Sequence, residues 1–550
     1  MTDKELLEKG YFAKELPPPF QTKQFADKLN DIKTDWDIIS ISINKAKKPA
    51  KEFYNPKFQE SKWVIYSIPK VGFSRRLLGL PNPYHQSIIS KSIADKWAEI
   101  EAIFNKSTIT HSKPIQDTTG NRALQSINTF KQFKKECLIH SFDKLFEVKT
   151  DVSRYYGTIY THIIPWIIHT KAFAKVRRKD ITLLGNLLDK NLREGNSGQT
   201  LGIPIGPDTS LVVAEIIGCT LDELVQKKFK TAIKGFRYID DYYIYCESQA
   251  DSEKVFKYIQ SIFTDHQLEI NEEKTKITKS PFPFESDWSI ELGSFNFRKE
   301  ASPPVQQTEI QRFVSLAFKN ANINPKDSVL SFAISVLKSV PLFDESWQLY
   351  QSLILKIALT EPVTLPVVAQ ILVSHRIKVE KLKVKSVVEN IIKEHTPKGH
   401  HFEVSWALWI CKEFQIKLPD ALAELVFNSN DIISILIALD LKKNGFINST
   451  VSISIIETEL TTESLMSENW LLTYETITQD WIAMPKIKVI NDNEYFGLLH
   501  KHKVQFYDAT KNVIPFKLTS PTTKSKPVVE VIEVKYEQPK TEIFIGGGSY

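Results

Sequence analysis

Near Pro304 the hydrophobic period of this 550-residue chain changes, and a chain that changes period must change architecture with it. Before that point β-branched and aromatic runs alternate with amphipathic helical stretches. WVIYSIPK and RRLLGLP read as two strands about a tight turn at Val71-Gly72, and HQSIISKSIADKWAEIEAIF reads as helix. FEVKTDV, Phe146 to Val152, reads as a strand followed by helix to about Lys175. FRYIDDYYIYC, Phe236 to Cys246, reads as two strands meeting at Asp240-Asp241, with a helix from Ser252 to Asp265 after it.

Beyond Pro304 nearly every apolar residue falls at i, i+3, i+4, i+7, in segments such as DSVLSFAISVLKSV, ESWQLYQSLILKIAL, VKSVVENIIKEH and DIISILIALDLKKNG. The segments start about every 13 to 21 residues, so helix pairs would repeat at about 35 to 40, the range of HEAT-like stacked pairs. No shared repeat signature recurs, which leaves an irregular bundle open. Glycine is scarce, 19 in 550 against a usual ~7%, which also favours helices. The sequence therefore divides into an N-terminal extension, 1–57, with Pro17-Pro18-Pro19 extended; an α+β part, 58–300; an all-α part, 301–513; and a flexible tail, 514–550, ending Gly-Gly-Gly-Ser-Tyr.

Cys137, Cys219, Cys246 and Cys411 are far apart and never spaced C-x-x-C, which suits reduced thiols rather than a disulfide framework or a zinc site. No apolar run reaches the ~18 to 20 residues that cross a bilayer, and the acidic start MTDKELLEKGYF does not read as a signal peptide, so a cytoplasmic protein without a membrane partner is expected. Residues 1–200 hold 33 lysines and arginines against 21 acidic residues, and 201–550 hold 38 against 44. A polyanionic partner would therefore meet the first part.

Two adjacent carboxylates, Asp240 and Asp241, at a hairpin tip repel each other unless a cation neutralises them. Alone the pair reads as an ordinary polar turn. Asp151, at the end of its own strand in KTDVSRYYGTIY, changes that reading, since three carboxylates on one sheet edge can hold two Mg²⁺ ions ~3.5 to 4 Å apart for in-line attack on an α-phosphate.

Five blocks in order over about residues 60–285 resemble a reverse transcriptase: SIPKVGFSRRLLGLPNPYHQSII, DVSRYYGTIYTH, GQTLGIPIGPDTSLVVAEI, YIDD and LEINEEKTKI. The resemblance is to the bacterial abortive-infection and defence-associated reverse transcriptases, the AbiK-like family. It implies a right-hand polymerase with fingers and palm, followed by an all-α, HEAT-like helical-repeat domain in place of a thumb. It implies metal ligands Asp151, Asp240 and Asp241, holding Mg²⁺ or Mn²⁺, and deoxynucleoside triphosphates as substrates. Lys70 and Arg76 would meet the triphosphate with Arg75 in support, and Tyr156 would face the sugar and exclude a 2′-hydroxyl. Pro204 and Gly206 would allow close backbone approach to the nucleotide, and Lys274 would protonate the leaving pyrophosphate.

Templated viral and intron-type enzymes usually carry Pro-Gln-Gly in the third block, whereas this chain has Pro204-Ile205-Gly206, as the abortive-infection group does. The resemblance thus implies antiviral, anti-phage synthesis of DNA without conventional primer or external template, begun on a protein tyrosine, by a homo-oligomer, a trimer or hexamer, in the bacterial cytoplasm. Tyr550, on a Gly-Gly-Gly-Ser tether, has the reach for a primer. Tyr11, Tyr54 or no tyrosine are equally admissible, and an ordinary loose terminus accounts for the tail as well. Two alternatives stay open: templated copying of a dedicated noncoding RNA, and a non-catalytic nucleic-acid-binding scaffold. Arg177-Arg178-Lys179 could track a phosphate backbone or simply end a helix. His395, His400, His401 and Glu403 match no standard ligand spacing, and a polar loop before a helix accounts for them.

Overall fold

A computed structural model describes residues 1–36, 60–70, 74–118, 120, 122–298, 302–482 and 486–520. Its centre is a four-stranded antiparallel sheet in the order β6-β7-β5-β8, with β5 Phe146–Thr150, β6 Lys234–Tyr238, β7 Asp241–Cys246 and β8 Lys276–Lys279. Every residue of β7 is buried, because both of its faces are covered. Tyr242 meets Phe263 of the helix Gln249–Asp265 on one face, and Tyr243, one residue on, meets Phe133 of the helix Phe130–His140 on the other. A period of two thus explains a strand without polar positions.

The hairpin of β1 Val64–Pro69 and β2 Arg75–Leu80 pairs Val64 with Leu80 and Pro69 with Arg75; its expected turn at Val71-Gly72 lies outside the described residues. Val64, Tyr66 and Ile68 are buried while Ile65 is exposed, as alternation requires. Their partner is the helix His401–Phe414, where Ser405 Oγ lies 2.8 Å from the Tyr66 hydroxyl. A second hairpin, β3 Pro114–Gln116 with β4 Leu124–Ser126, leads into the helix Phe130–His140. None of this stretch was legible beforehand.

The α-helices of the second half run from Pro303–Ile323 to Glu494–Lys501. From Pro303 through Lys443 each packs on the next but one, and most also on the next, so that apolar stripes meet in a continuous core. That core also takes in the β1–β2 hairpin and the N-terminal segment, while a second core lies around the four-stranded sheet. The boundary between the two cores runs through the α+β part rather than along the change of period at Pro304.

The described part of the N-terminal extension, residues 1–36, packs into the first core. Tyr11 is fully buried and its hydroxyl donates to the Pro81 carbonyl, the Glu15 carbonyl accepts from Trp406 Nε1 at 2.9 Å, and Phe20 bridges to Tyr507. The three prolines do not run extended: Phe20 N donates to Pro17 O at 3.3 Å, closing a turn. At the other end, Gln370 Nε2 donates to Ile514 O at 2.9 Å and Phe516 N to Ser374 Oγ at 3.0 Å, so the start of the expected tail lies on the helix Leu365–Ser374. All four cysteines are buried and unpaired. Among the described residues no helix is long and apolar enough to cross a membrane.

Candidate active site

The β6–β7 hairpin closes through Tyr238 and Asp241, leaving Ile239 and Asp240 as a two-residue loop. Ile239 has φ 57°, a left-handed conformation that ordinarily needs glycine and costs a β-branched residue about 1 to 3 kcal/mol. A buried ionic cluster holds it there. Arg237 Nη1 donates to Ile239 O at 2.6 Å, and Ile239 N donates to Ser112 Oγ at 2.7 Å. The same guanidinium reaches Asp222 at 2.9 Å and Glu215 at 2.7 Å, with all three side chains fully buried, and Ser112 Oγ donates to Glu215. Gly218, on the helix Asp208–Phe229 that carries both acids, leaves the room: a Cβ there would lie 2.6 Å from Arg237 Cζ. Sequence reading missed this cluster, although an arginine inside an aromatic strand was its signal.

Asp151 follows the last β5–β7 pair, Thr150 with Tyr242, by one residue, just as Asp241 precedes it. The antiparallel register therefore sets Asp151 against Asp241 on adjacent strands, with Asp240 at the turn between β6 and β7. Asn271 N donates to Asp151 O at 2.9 Å, and Val152 bridges to Ile270, so the segment before β8 runs alongside and carries Lys274 over the carboxylates. Lys274 Nζ donates to Asp151 Oδ2 at 2.7 Å.

The electrostatics are those of crowded acids. Burial, then Asp241 and Asp151, push the Asp240 carboxyl up to about 7. Burial also raises Asp151, against the pull of Lys274. Asp151 Oδ1 is buried with no hydrogen-bond partner. An orphaned acceptor among three carboxylates, with only oxygen donors, fits a hard divalent cation.

Lys70 and Arg76 face the same place. Burial and the cations Arg76 and Lys274 lower Lys70 while Asp240 and Asp151 oppose them, and burial lowers Arg76 against Glu15 and Asp240. Tyr156 joins them: burial, then Asp240 and Glu215, hold its phenol far above the usual range. Arg75 is directed elsewhere. Its guanidinium donates to both carboxylate oxygens of Glu403, to Ser67 Oγ at 2.9 Å and to Ser67 O at 2.9 Å, tying the β1–β2 hairpin to the helical half. Pro204 and Gly206 brace that hairpin from behind. Gly79 N donates to Ile205 O at 2.9 Å, a Cβ on Gly79 would meet Pro204 at 2.9 Å, and Gly206, at φ 127°, faces Ala13. Tyr550 and Tyr54 lie outside the described residues. Tyr11, buried and bonded to Pro81, cannot leave the core to serve as a primer without local unfolding.

Residues 99–297 match the family model described as reverse transcriptase (RNA-dependent DNA polymerase). The chain carries a reverse transcriptase domain, the domain of RNA-directed DNA polymerases, which are nucleotidyltransferases. No curated protein matches the chain. Among solved structures, apo telomerase from Candida tropicalis is similar at 12% identity and TM-score 0.30, over 76% of this chain and 73% of that one. Candida albicans telomerase with a fragment of telomeric RNA is similar at 13% identity and TM-score 0.26, over 78% and 70%.

Proposed function

We propose that this chain is a defence polymerase of the abortive-infection kind, joining deoxynucleotides into DNA on Asp151, Asp240 and Asp241 with Mg²⁺, or Mn²⁺ in its place. The observation that carries the reading is the unpartnered, buried Asp151 Oδ1 set against Asp241 on the neighbouring strand. Asp151, Asp240 and Asp241 would hold two divalent cations, which would supply charge stabilisation for in-line attack of a 3′-hydroxyl on the α-phosphate with pyrophosphate leaving. The protein's part is to hold and orient. Lys70 and Arg76 bind the triphosphate, Tyr156 fills the space beside the sugar, and Lys274, an ammonium beside the same carboxylates, delivers a proton to the leaving pyrophosphate. Residues 58–300 form the polymerase core in this reading, and 301–513 form a HEAT-like array that takes the place of a thumb.

Synthesis without external template or primer is proposed on the third block, where Ile205 packs on the core and cannot donate a hydrogen bond to a nucleotide. Priming on Tyr550, action against phage in the bacterial cytoplasm, and assembly as a trimer or hexamer rest on the family resemblance. The second reading, copying of a dedicated noncoding RNA, is favoured by the match of residues 99–297 to RNA-dependent enzymes.

The test incubates nuclease-treated, purified protein with Mg²⁺ and each labelled deoxynucleotide, without primer or template, and resolves it on a denaturing gel. Label that migrates with the protein and collapses on DNase treatment supports the first reading. Label that appears only when co-purified RNA is retained supports the second. Asp240→Asn with Asp241→Asn is expected to lower incorporation on the order of 10³-fold or more, and wild-type rates in that variant would remove the carboxylate assignment.

A further inference from the structure

The turn Thr396–Gly399 joins the helices Lys381–His395 and His401–Phe414, and with Gly399 at φ 64° it folds the second helix back beside the end of the first. It thereby brings together three side chains whose spacing in sequence gave no pattern. His395 Nδ1 lies 2.8 Å from His400 Nδ1, and Glu403 Oε1 lies 3.6 Å from His400 Nδ1 and 4.0 Å from His395 Nδ1. A circle through three atoms so separated has a radius of about 2.1 Å. That matches zinc bonds of ~2.0 to 2.1 Å to imidazole nitrogen and ~2.0 to 2.2 Å to carboxylate oxygen.

From this triangle we infer that His395, His400 and Glu403 bind a borderline-soft divalent transition metal of the zinc class, separate from the catalytic carboxylates. Hydrogen bonding accounts for the two imidazoles, whose Nδ1 atoms lie at hydrogen-bond distance, but not for Glu403, whose carboxylate oxygen stands beyond hydrogen-bond distance of both rings. Arg75 keeps it there. The guanidinium donates to both Glu403 oxygens and prevents the carboxylate from collapsing onto the rings, as an outer-shell partner orients a ligand. Each imidazole can bind in the neutral form through Nδ1 with its proton on Nε2, while Glu403 is buried and supplies the single negative charge. His401 is not a ligand, since its Nδ1 faces Ser67 N at 3.2 Å and Ile65 O at 3.1 Å.

Two nitrogens and one oxygen favour zinc over Mg²⁺, which demands oxygen donors, so the two kinds of site discriminate by chemistry. With three protein ligands the fourth position is left to water. The ion would clasp the ends of two helices and, through Glu403 and Arg75, stiffen the hairpin arm that bears Lys70 and Arg76.

The test strips full-length protein with a chelator, saturates it with Mg²⁺ and titrates Zn²⁺ against a chromophoric competitor. Wild type is expected to take up one equivalent of zinc that excess Mg²⁺ does not displace. The Asp240→Asn/Asp241→Asn variant is expected to keep that equivalent, and His395→Gln/His400→Gln, with its fold checked by circular dichroism, to lose it. The four buried cysteines do not compete in the folded chain. Wild type that takes up no zinc in excess Mg²⁺ overturns the inference without reference to any variant, as does equal uptake by the folded His395→Gln/His400→Gln protein.

Discussion

Lys274 Nζ and Asp151 Oδ2 lie 2.7 Å apart, an ion pair in which the lysine is partly open to solvent and the aspartate is almost wholly buried. In metal-free protein this ammonium is the cation that compensates the Asp151 carboxylate. Lys274→Met therefore leaves a buried charge unpaired, and the expected loss is about 1 to 3 kcal/mol, discounted for the lysine's exposure. Melting in EDTA should show it, and adding Mg²⁺ should narrow the gap because a bound cation takes over the same carboxylate. Equal midpoints in EDTA would mean that the pair contributes nothing to the fold.

Arg237 offers a stricter case, because it, Glu215 and Asp222 have no exposed surface at all. Arg237→Met strands two buried acids and releases the carbonyl of Ile239, at an expected cost of about 3 to 5 kcal/mol. Adding Glu215→Gln and Asp222→Asn to that variant should return part of the loss, since the unpaired charges go with the arginine. Denaturant midpoints of the single and triple variants check this, and a single variant within about 0.5 kcal/mol of wild type would deny the cluster its role in holding the hairpin tip.

Tyr156 lies where its phenol meets the fields of Asp240 and Arg76, and its backbone oxygen accepts from Ile203 N at 2.9 Å, which fixes it against the third block. Tyr156→Ala opens that space. The ratio of kcat/KM for deoxy- over ribonucleotides is expected to fall by at least about tenfold, because a side chain in contact is what rejects an added hydroxyl. Unchanged sugar discrimination would take Tyr156 out of the role.

What was legible in the sequence follows from how local each determinant is. The carboxylate hairpin and the helices after Pro304 were readable because apolar spacing and turn residues act within a few positions, and the helices Lys381–His395 and Ile432–Lys443 fall on their expected segments. The N-terminal segment was not readable, because what orders it is distant: Tyr11 packs against Phe506, and Lys501 with His502 binds Asp35. Arg75 was assigned to the nucleotide because its real partner, Glu403, lies across the chain from it. His395, His400 and Glu403 stand out in the sequence but read as a polar loop, for a related reason. They straddle a helix-to-helix turn, where neither the helical nor the strand period says which side chains converge.

Glu475 gives the fold a measurable pH dependence away from the catalytic carboxylates. It is buried in the helix Trp470–Thr478, accepts from Phe506 N at 2.6 Å and Gln479 Nε2 at 3.1 Å, and burial still pushes its carboxyl up to about 7. The folded value therefore stands above the ordinary one of 4.5, so the folded chain holds this proton more tightly than the unfolded chain does. Stability from the protonated group is complete below about 4.5 and is lost as pH rises through about 7. Between pH 5 and 8 the change is about 2 kcal/mol. Glu475→Gln keeps an acceptor for Phe506 N but cannot ionise, so the variant should melt closer to wild type at pH 5 and gain on it steadily up to pH 8. Parallel stability curves for the two proteins across that range would mean that Glu475 does not titrate there.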